Sequence, residues 1–223
     1  MNVKLLSYSQ PTDEFANSGI SDAQELIAYC ARVSNPSNQF NTETSEKLIN
    51  YLVKHQHWSP LEMVSACVEI ETTRDIARQI LRHRSFSFQE FSQRYADPTK
   101  DLDFVLREAR LQDTKNRQNS LEVDDPALDA WWDAQQKFII DNVKRIYAEA
   151  IERGIAKEQA RAILPEGNTV SRLYMNGTLR SWVHFISLRS ANGTQKEHQL
   201  VALACAKAIA AIFPMTEHLV SNG

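Results

Sequence analysis

Only six glycines and three cysteines occur in this 223-residue chain, and both shortages narrow its chemistry. Phosphate-cradling loops of the Walker or dinucleotide-fingerprint type need several glycines within one short segment. No such segment is present. Cys30, Cys67 and Cys205 are odd in number, far apart and set mostly among apolar residues. They read as reduced, packed thiols, not as a disulfide framework or a zinc site. None has the basic, partly exposed surroundings that lower a thiol pKa, so a cysteine nucleophile is not expected. No apolar run reaches the roughly 18 residues that a membrane span requires. The opening MNVKLLSYSQ lacks the apolar core and cleavage site of a signal peptide. A cytoplasmic protein is expected. Metal ligation is also poorly served. His55 and His57 are two apart, unlike a helical i, i+4 pair, and His83 and His184 each have arginine nearby, which disfavours a bound cation.

An excess of basic charge is missing too. With 25 basic against 28 acidic side chains the net charge is −3, which argues against a general nucleic-acid or membrane-surface binder. Hydrophobic content of 43% and charged content of 24% suit one soluble globular domain over residues 1–223.

Against this background residues 82–95, RHRSFSFQEFSQRY, stand out. The five arginines from Arg74 to Arg94 face only Asp75 and Glu90. A solvated helix end could carry such charge. Arginine, however, is the side chain best shaped for forked contact with phosphate or carboxylate. Here it is interleaved with serines, glutamines, a histidine and phenylalanines, as in an anion-binding site.

The rest of the chain supplies a scaffold and further donors. Val3 to Tyr8 reads as a strand. Ser21 with Gln24 forms a capping box for a helix presenting Ala23, Leu26, Ile27 and Cys30 on one face. Another helix runs through Leu48, Tyr51 and Leu52. Ser59, Pro60 and Glu62 give the signature of a capped helix start that could receive an anion. Residues 64–71 alternate as a strand does. Thr72 and Asp75 then cap a helix bearing Arg74, Arg78 and Arg82 at four-residue intervals. Residues 96–125 are polar, with a short amphipathic piece at 102–111, and read as a surface excursion. Pro126 opens a long helix that Gly154 stops. Its tryptophans suit core or subunit contacts better than base stacking. A short helix carries Arg161. Thr169 to Met175 reads as a strand turned by Asn176-Gly177. A helix from Thr178 to Arg189 sets Arg180 and His184 on one face. An alanine-rich helix over 197–213 closes the scaffold. Donors thus come from many segments, without a poised nucleophile or metal. Ser92 has no nearby His–Asp relay and is expected to hydrogen-bond. Demanding chemistry would need an organic cofactor.

Arg82-His83-Arg84, seven residues and then Ser92, with Glu90, Arg94 and Tyr95, resembles the signature of the flavin-dependent thymidylate synthases. Three further family segments occur with it in family order along the chain: His57 to Glu62, Ala160 to Pro165, and Arg180, His184 and Arg189. The resemblance implies an α/β (α+β) fold with a central mixed or antiparallel sheet flanked by helices. It also implies a homotetramer with active sites shared between subunits. The implied reaction is reductive methylation of dUMP to dTMP. Methylenetetrahydrofolate gives the carbon, and FAD, reduced by NADPH, gives the hydride.

Carried over residue by residue, Ser59, Arg82, His83, Arg84, Glu90, Thr178, Arg180 and His184 resemble FAD contacts. Gln79, Arg82, Glu90, Ser92, Arg94 and Arg161 resemble dUMP contacts, with Phe91 and Gln93 offering backbone. Arg189 resembles the catalytic arginine that faces the uracil and favours its N3-ionised form. Thr178 departs from the asparagine of many members and keeps an oxygen but not the amide's reach. Two rival readings use the same arginines. A nucleic-acid binder would be colourless, with salt-dependent affinity. A nucleotide-binding regulator would share the site without hydride transfer.

Overall fold

A computed structural model of the chain describes residues 1–220. Strand β1 (Asn2–Tyr8) leads to helices α1 (Asp13–Asn17), α2 (Ala23–Ala31) and α3 (Ser45–Lys54). Strand β2 (Ser65–Thr73) runs directly into α4 (Arg74–Ile80), followed by β3 (Ser87–Glu90). The excursion holds α5 (Pro98–Asp101), β4 (Arg110–Gln112) and β5 (Ser120–Glu122). Then come α6 (Pro126–Glu152), α7 (Lys157–Ala160), β6 (Val170–Thr178), α8 (Leu179–Arg189) and α9 (Lys196–Ala210).

Four strands form an antiparallel sheet in the order β1-β2-β6-β3, flanked by helices as the expected α/β (α+β) class requires. In β2 the alternation is physical: Ala66, Val68 and Ile70 are buried, while Ser65, Cys67, Glu69 and Glu71 lie half-buried on the other face. The β2–β6 register pairs Ser65 with Thr178 and Thr73 with Val170. Helix α4 therefore leaves one end of the sheet and α8 the other, and α8 runs back over the core. That is why residues near 189 meet residues near 83.

Helix α8 buries Leu179, Trp182, Val183, Phe185 and Ile186 against α9, which contributes Val201, Ala202, Cys205 and Ile209. Each large apolar side chain so buried contributes roughly 1.5–3 kcal/mol. The Trp182 indole N–H is satisfied by the Ala66 carbonyl at 3.0 Å. A smaller cluster of Val143, Tyr147, Ala160 and Leu164 joins α6 to α7. Elsewhere α6 leaves Trp131, Phe138, Ile139 and Ile146 exposed, so its tryptophans do not enter the core.

Several local expectations shift. The α2 cap is Asp22, which accepts the Glu25 amide at 2.8 Å, while Glu25 reaches back to Ser21 N. The box is framed one residue later than Ser21 and Gln24, because the Asp22 carboxylate, an acceptor on both oxygens, takes the first-turn amide. Ser59 caps nothing. It begins a 3-10 turn, Ser59–Glu62, with Trp58 in the cap position and no side-chain cap bond. Thr73, not Thr72, precedes α4, and its hydroxyl bonds the Asp75 carboxylate at 2.5 Å. Asn176-Gly177 does not turn the chain, since β6 continues through it. A Cβ on Gly177 would lie 2.4 Å from the Phe86 ring, so the glycine serves close approach. The last helix spans 196–210, three residues short of the expected end.

The excursion lies on the surface, but its first half is stitched down. Phe104 bridges Thr169, and Val105 N–H bonds the Asn168 carbonyl at 2.9 Å. The amphipathic piece at 102–111 is thus largely extended. Arg107 holds it, with its guanidinium donating to Gly167 O, Thr73 Oγ1 and Asp75 and lying 2.8 Å from Glu197.

Candidate active site

The loop after α4 runs antiparallel along α8. The Ser85 carbonyl accepts from Ser181 Oγ at 3.1 Å, Phe86 packs edge-on to Trp182, and His83 packs edge-on to Phe185 with ring centroids 5.0 Å apart. Beyond Phe185 the loop meets Arg189, whose Nε–H donates to His83 Nε2 at 2.9 Å. An imidazole nitrogen that accepts carries no proton, so His83 keeps its hydrogen on Nδ1. Burial first, then the charges of Arg189 and Arg82, push the His83 pKa down to about 4. It is a neutral ring at neutral pH.

Arg189 is thereby oriented without being neutralised. No carboxylate pairs with it among the described residues, and its two terminal nitrogens remain to meet a ligand. An anion placed there faces a full positive charge. Next to this pair lies His198, which was not anticipated. It is fully buried on α9, and its Nδ1 lies 3.2 Å from Gln79 Oε1. Gln79 Nε2 in turn donates to Gln195 Oε1 at 2.8 Å. Gln79, His83 and Arg189 are therefore one cluster, and two of its supports come from α9 and the residue before it. Their partners are more than a hundred residues away in sequence, so no local pattern signals them.

The other site residues form separate groups. Glu90, at the end of β3, accepts on Oε1 from Ser171 Oγ at 2.7 Å and from Arg74 at 3.4 Å. Neither partner was on the expected list. Phe91 spends its amide on the Arg172 carbonyl, which leaves only its own carbonyl for a ligand. Gln93 is buried, with Nε2 lacking a hydrogen-bond partner among the described residues. Arg94 points Nε and Nη2 at Glu158, both at 3.1 Å, and Arg161 lies one turn beyond Glu158 at the end of α7. Ser92 Oγ accepts weakly from the Arg94 amide at 3.4 Å.

On the far side of α8, Arg180 pairs with Glu62, and the His184 ring packs tilted against Trp58 with ring centroids 4.5 Å apart. This brings Ser59 beside Arg180 and His184. Thr178 is the α8 N-cap, with its hydroxyl accepting the Ser181 amide at 3.3 Å. Arg180 and Arg189 are nine residues, or about two and a half helical turns, apart and project from opposite sides of α8. The cation set of this chain thus points in more than one direction. The thiols stay inert: burial raises the pKa of Cys30 and Cys67, and more strongly that of Cys205.

Residues 18–215 match the family model described as "Thymidylate synthase complementing protein". A "Flavin-dependent thymidylate synthase" of Synechocystis sp. is 48% identical over 214 residues, 96% of each chain. A "Probable flavin-dependent thymidylate synthase" of Paramecium bursaria Chlorella virus 1 is 47% identical over the same span, again 96% of each. The chain belongs to the flavin-dependent thymidylate synthases. The fold agrees: a UMP/dUMP methylase PolB from Streptomyces cacaoi, crystallised with 5-Br dUMP, superposes with a TM-score of 0.79 at 24% identity, over 98% of this chain and 93% of that one. Membership in the flavin-dependent thymidylate synthases accounts for the missing cysteine nucleophile. The signature of this family, Arg82 to Ser92, occupies the loop along α8 and the strand that follows.

Proposed function

We propose that this chain converts dUMP to dTMP as a flavin-dependent thymidylate synthase, using Arg189 as the cation opposite the uracil. The observation that carries the role of Arg189 is its bond to neutral His83 in place of a carboxylate. A carboxylate partner would cancel the charge that a uracil anion needs, whereas an imidazole lone pair aligns the guanidinium and leaves the charge intact. Methylenetetrahydrofolate supplies the methylene carbon, and FAD, when bound, supplies the hydride that NADPH has provided.

The donor set suits a flavin bearing a pyrophosphate. Arg82, Arg84 and Arg161 have no carboxylate partner among the described residues, and Arg82 and Arg84 are exposed. Ser59, Arg82, His83, Arg84, Glu90, Thr178, Arg180 and His184 would hold FAD. Gln79, Arg82, Glu90, Ser92, Arg94, Arg161 and Arg189 would hold dUMP, with Phe91 and Gln93 lining it. His83, bonded to Arg189, and Arg180, on the opposite side of α8, are both assigned to FAD, so one chain does not offer both to a single flavin. Sites shared among the subunits of a homotetramer resolve this. Trp131 and Phe138, seven apart on α6 and 57% and 69% exposed, with Ile139 and Ile146, supply an apolar stripe for such contacts. A single catalytic domain in a reducing cytoplasm fits the free thiols. Among the described residues no helix is long and apolar enough to cross a membrane.

The purified protein should be yellow, bleach anaerobically with NADPH and form dTMP from dUMP and methylenetetrahydrofolate. A colourless protein that binds nucleic acid with steep salt dependence would overturn the reading. Bleaching without dTMP would leave a flavoprotein of another activity.

A further inference from the structure

A chain of four side chains runs from the excursion to Gln79, and its direction is set at one end. Glu197 is a carboxylate and can only accept. Burial pushes its pKa up, but its own backbone amide and the Arg107 charge outweigh this and hold it below the usual range. Arg110, also on the excursion, pairs with it as well. Gln195 must therefore turn its Nε2 to Glu197 Oε2, at 2.9 Å, and its Oε1 toward Gln79. Gln79 must then donate through Nε2 and present Oε1 to His198, which answers with Nδ1–H at 3.2 Å. Every amide orientation follows from the first acceptor, so neither glutamine is free to flip.

We infer that Glu197, Gln195 and His198 are positioning residues that hold the Gln79 amide in one orientation for the nucleotide. The inference rests on the reading that Gln79 contacts dUMP. Both ends of the amide are bonded, so one N–H and one lone pair of fixed direction are left for the substrate. A buried amide that could rotate would spend part of its population with donor and acceptor exchanged. Such mismatched polar contacts weaken binding. His198 suits this task because burial, Arg189 and His83 keep it neutral, with its pKa down to about 3. The excursion thereby contributes to the nucleotide site at a distance, because Arg107 and Arg110 pair with the Glu197 carboxylate and fix its place.

Steady-state kinetics of the flavin-loaded enzyme with Gln79→Ala, Gln195→Leu, His198→Leu and His198→Asn test the relay. Gln195 is only half-buried, so its variant should fold even if His198→Leu does not. Gln79→Ala and Gln195→Leu should each raise KM for dUMP about tenfold, the worth of one oriented hydrogen bond. KM for NADPH should not move. The double variant should be no worse than Gln79→Ala alone. Asparagine places its amide N–H where the imidazole has Nδ1–H, so His198→Asn should restore KM to within about threefold of the parent, whereas His198→Leu should not. If Gln79→Ala impairs dUMP while Gln195→Leu leaves KM unchanged, the relay is wrong although the nucleotide contact stands. If Gln79→Ala itself has no effect on dUMP, the contact fails and the relay with it.

Discussion

Arg189 donates its Nε–H to His83 Nε2 at 2.9 Å across 106 residues of sequence. The contact joins the middle residue of the Arg-His-Arg signature to the last residue of α8. It leaves a cation that is aligned but not neutralised.

Replacing Arg189 by alanine should cut dTMP formation about a hundredfold or more, the scale of losing a preorganised charge opposite a developing anion. Bound flavin should be largely retained, because the flavin contacts assigned here come from other residues. Absorbance of the purified variant together with its turnover checks both points. Loss of flavin would contradict the uracil-facing role.

Stability should fall as pH drops below about 6.5, the value expected for the histidines of the unfolded chain. His83 and His198 stay neutral in the folded protein down to about 4 and about 3. Between these limits the unfolded state binds protons that the folded state refuses, so stability is present above pH 6.5 and lost on acidification. Each group contributes at most roughly 1.4 kcal/mol per pH unit. Urea midpoints should be level between pH 7 and 8 and decline from pH 6 to 5. His198→Asn should reduce that slope, and a flat profile would show that both rings titrate normally.

Gly177→Ala should destabilise the fold by about 1–3 kcal/mol, because the added methyl overlaps the Phe86 ring and α8 prevents an easy retreat. As Phe86 anchors the signature loop, KM for dUMP should rise too. Thermal unfolding and kinetics of the one variant report both effects.

Arg107→Met keeps the volume but leaves Asp75 and Glu197 without their shared cation. A loss on the order of 3 kcal/mol is expected for breaking so enclosed a network. Trypsin should then cut faster at Arg110, Lys115 and Arg117. Unchanged cleavage would mean that the backbone bonds to Asn168 suffice to hold the excursion.

Replacing Ser92 by alanine should raise KM for dUMP severalfold with turnover preserved. Abolished turnover with intact dUMP binding would restore Ser92 as a nucleophile.

Periodicity and short-range chemistry were enough to place the strand at 64–71, the helices around Ile76, Leu128 and Trp182, and the basic loop between them. These depend on the alternation of apolar and polar side chains, which is written locally. The spacing Arg82, His83, Arg84 to Ser92, with the three other segments, was enough for the family and its ligands. Local text misled where one residue had two uses. Asn176-Gly177 has the composition of a turn, but Phe86 needs the missing Cβ. Ser59 looks like a cap, but the turn that follows is too short to use one. Long-range pairing alone decided the rest. Only the antiparallel β2–β6 register brings the end of α4 under the end of α8, placing Arg189 on His83. Only the packing of α9 puts His198 and Gln195 on Gln79 and lets Arg107 reach Glu197. Hydrogen bonds act over about 3 Å whatever the separation along the chain, so partners a hundred residues apart leave no mark in a local pattern.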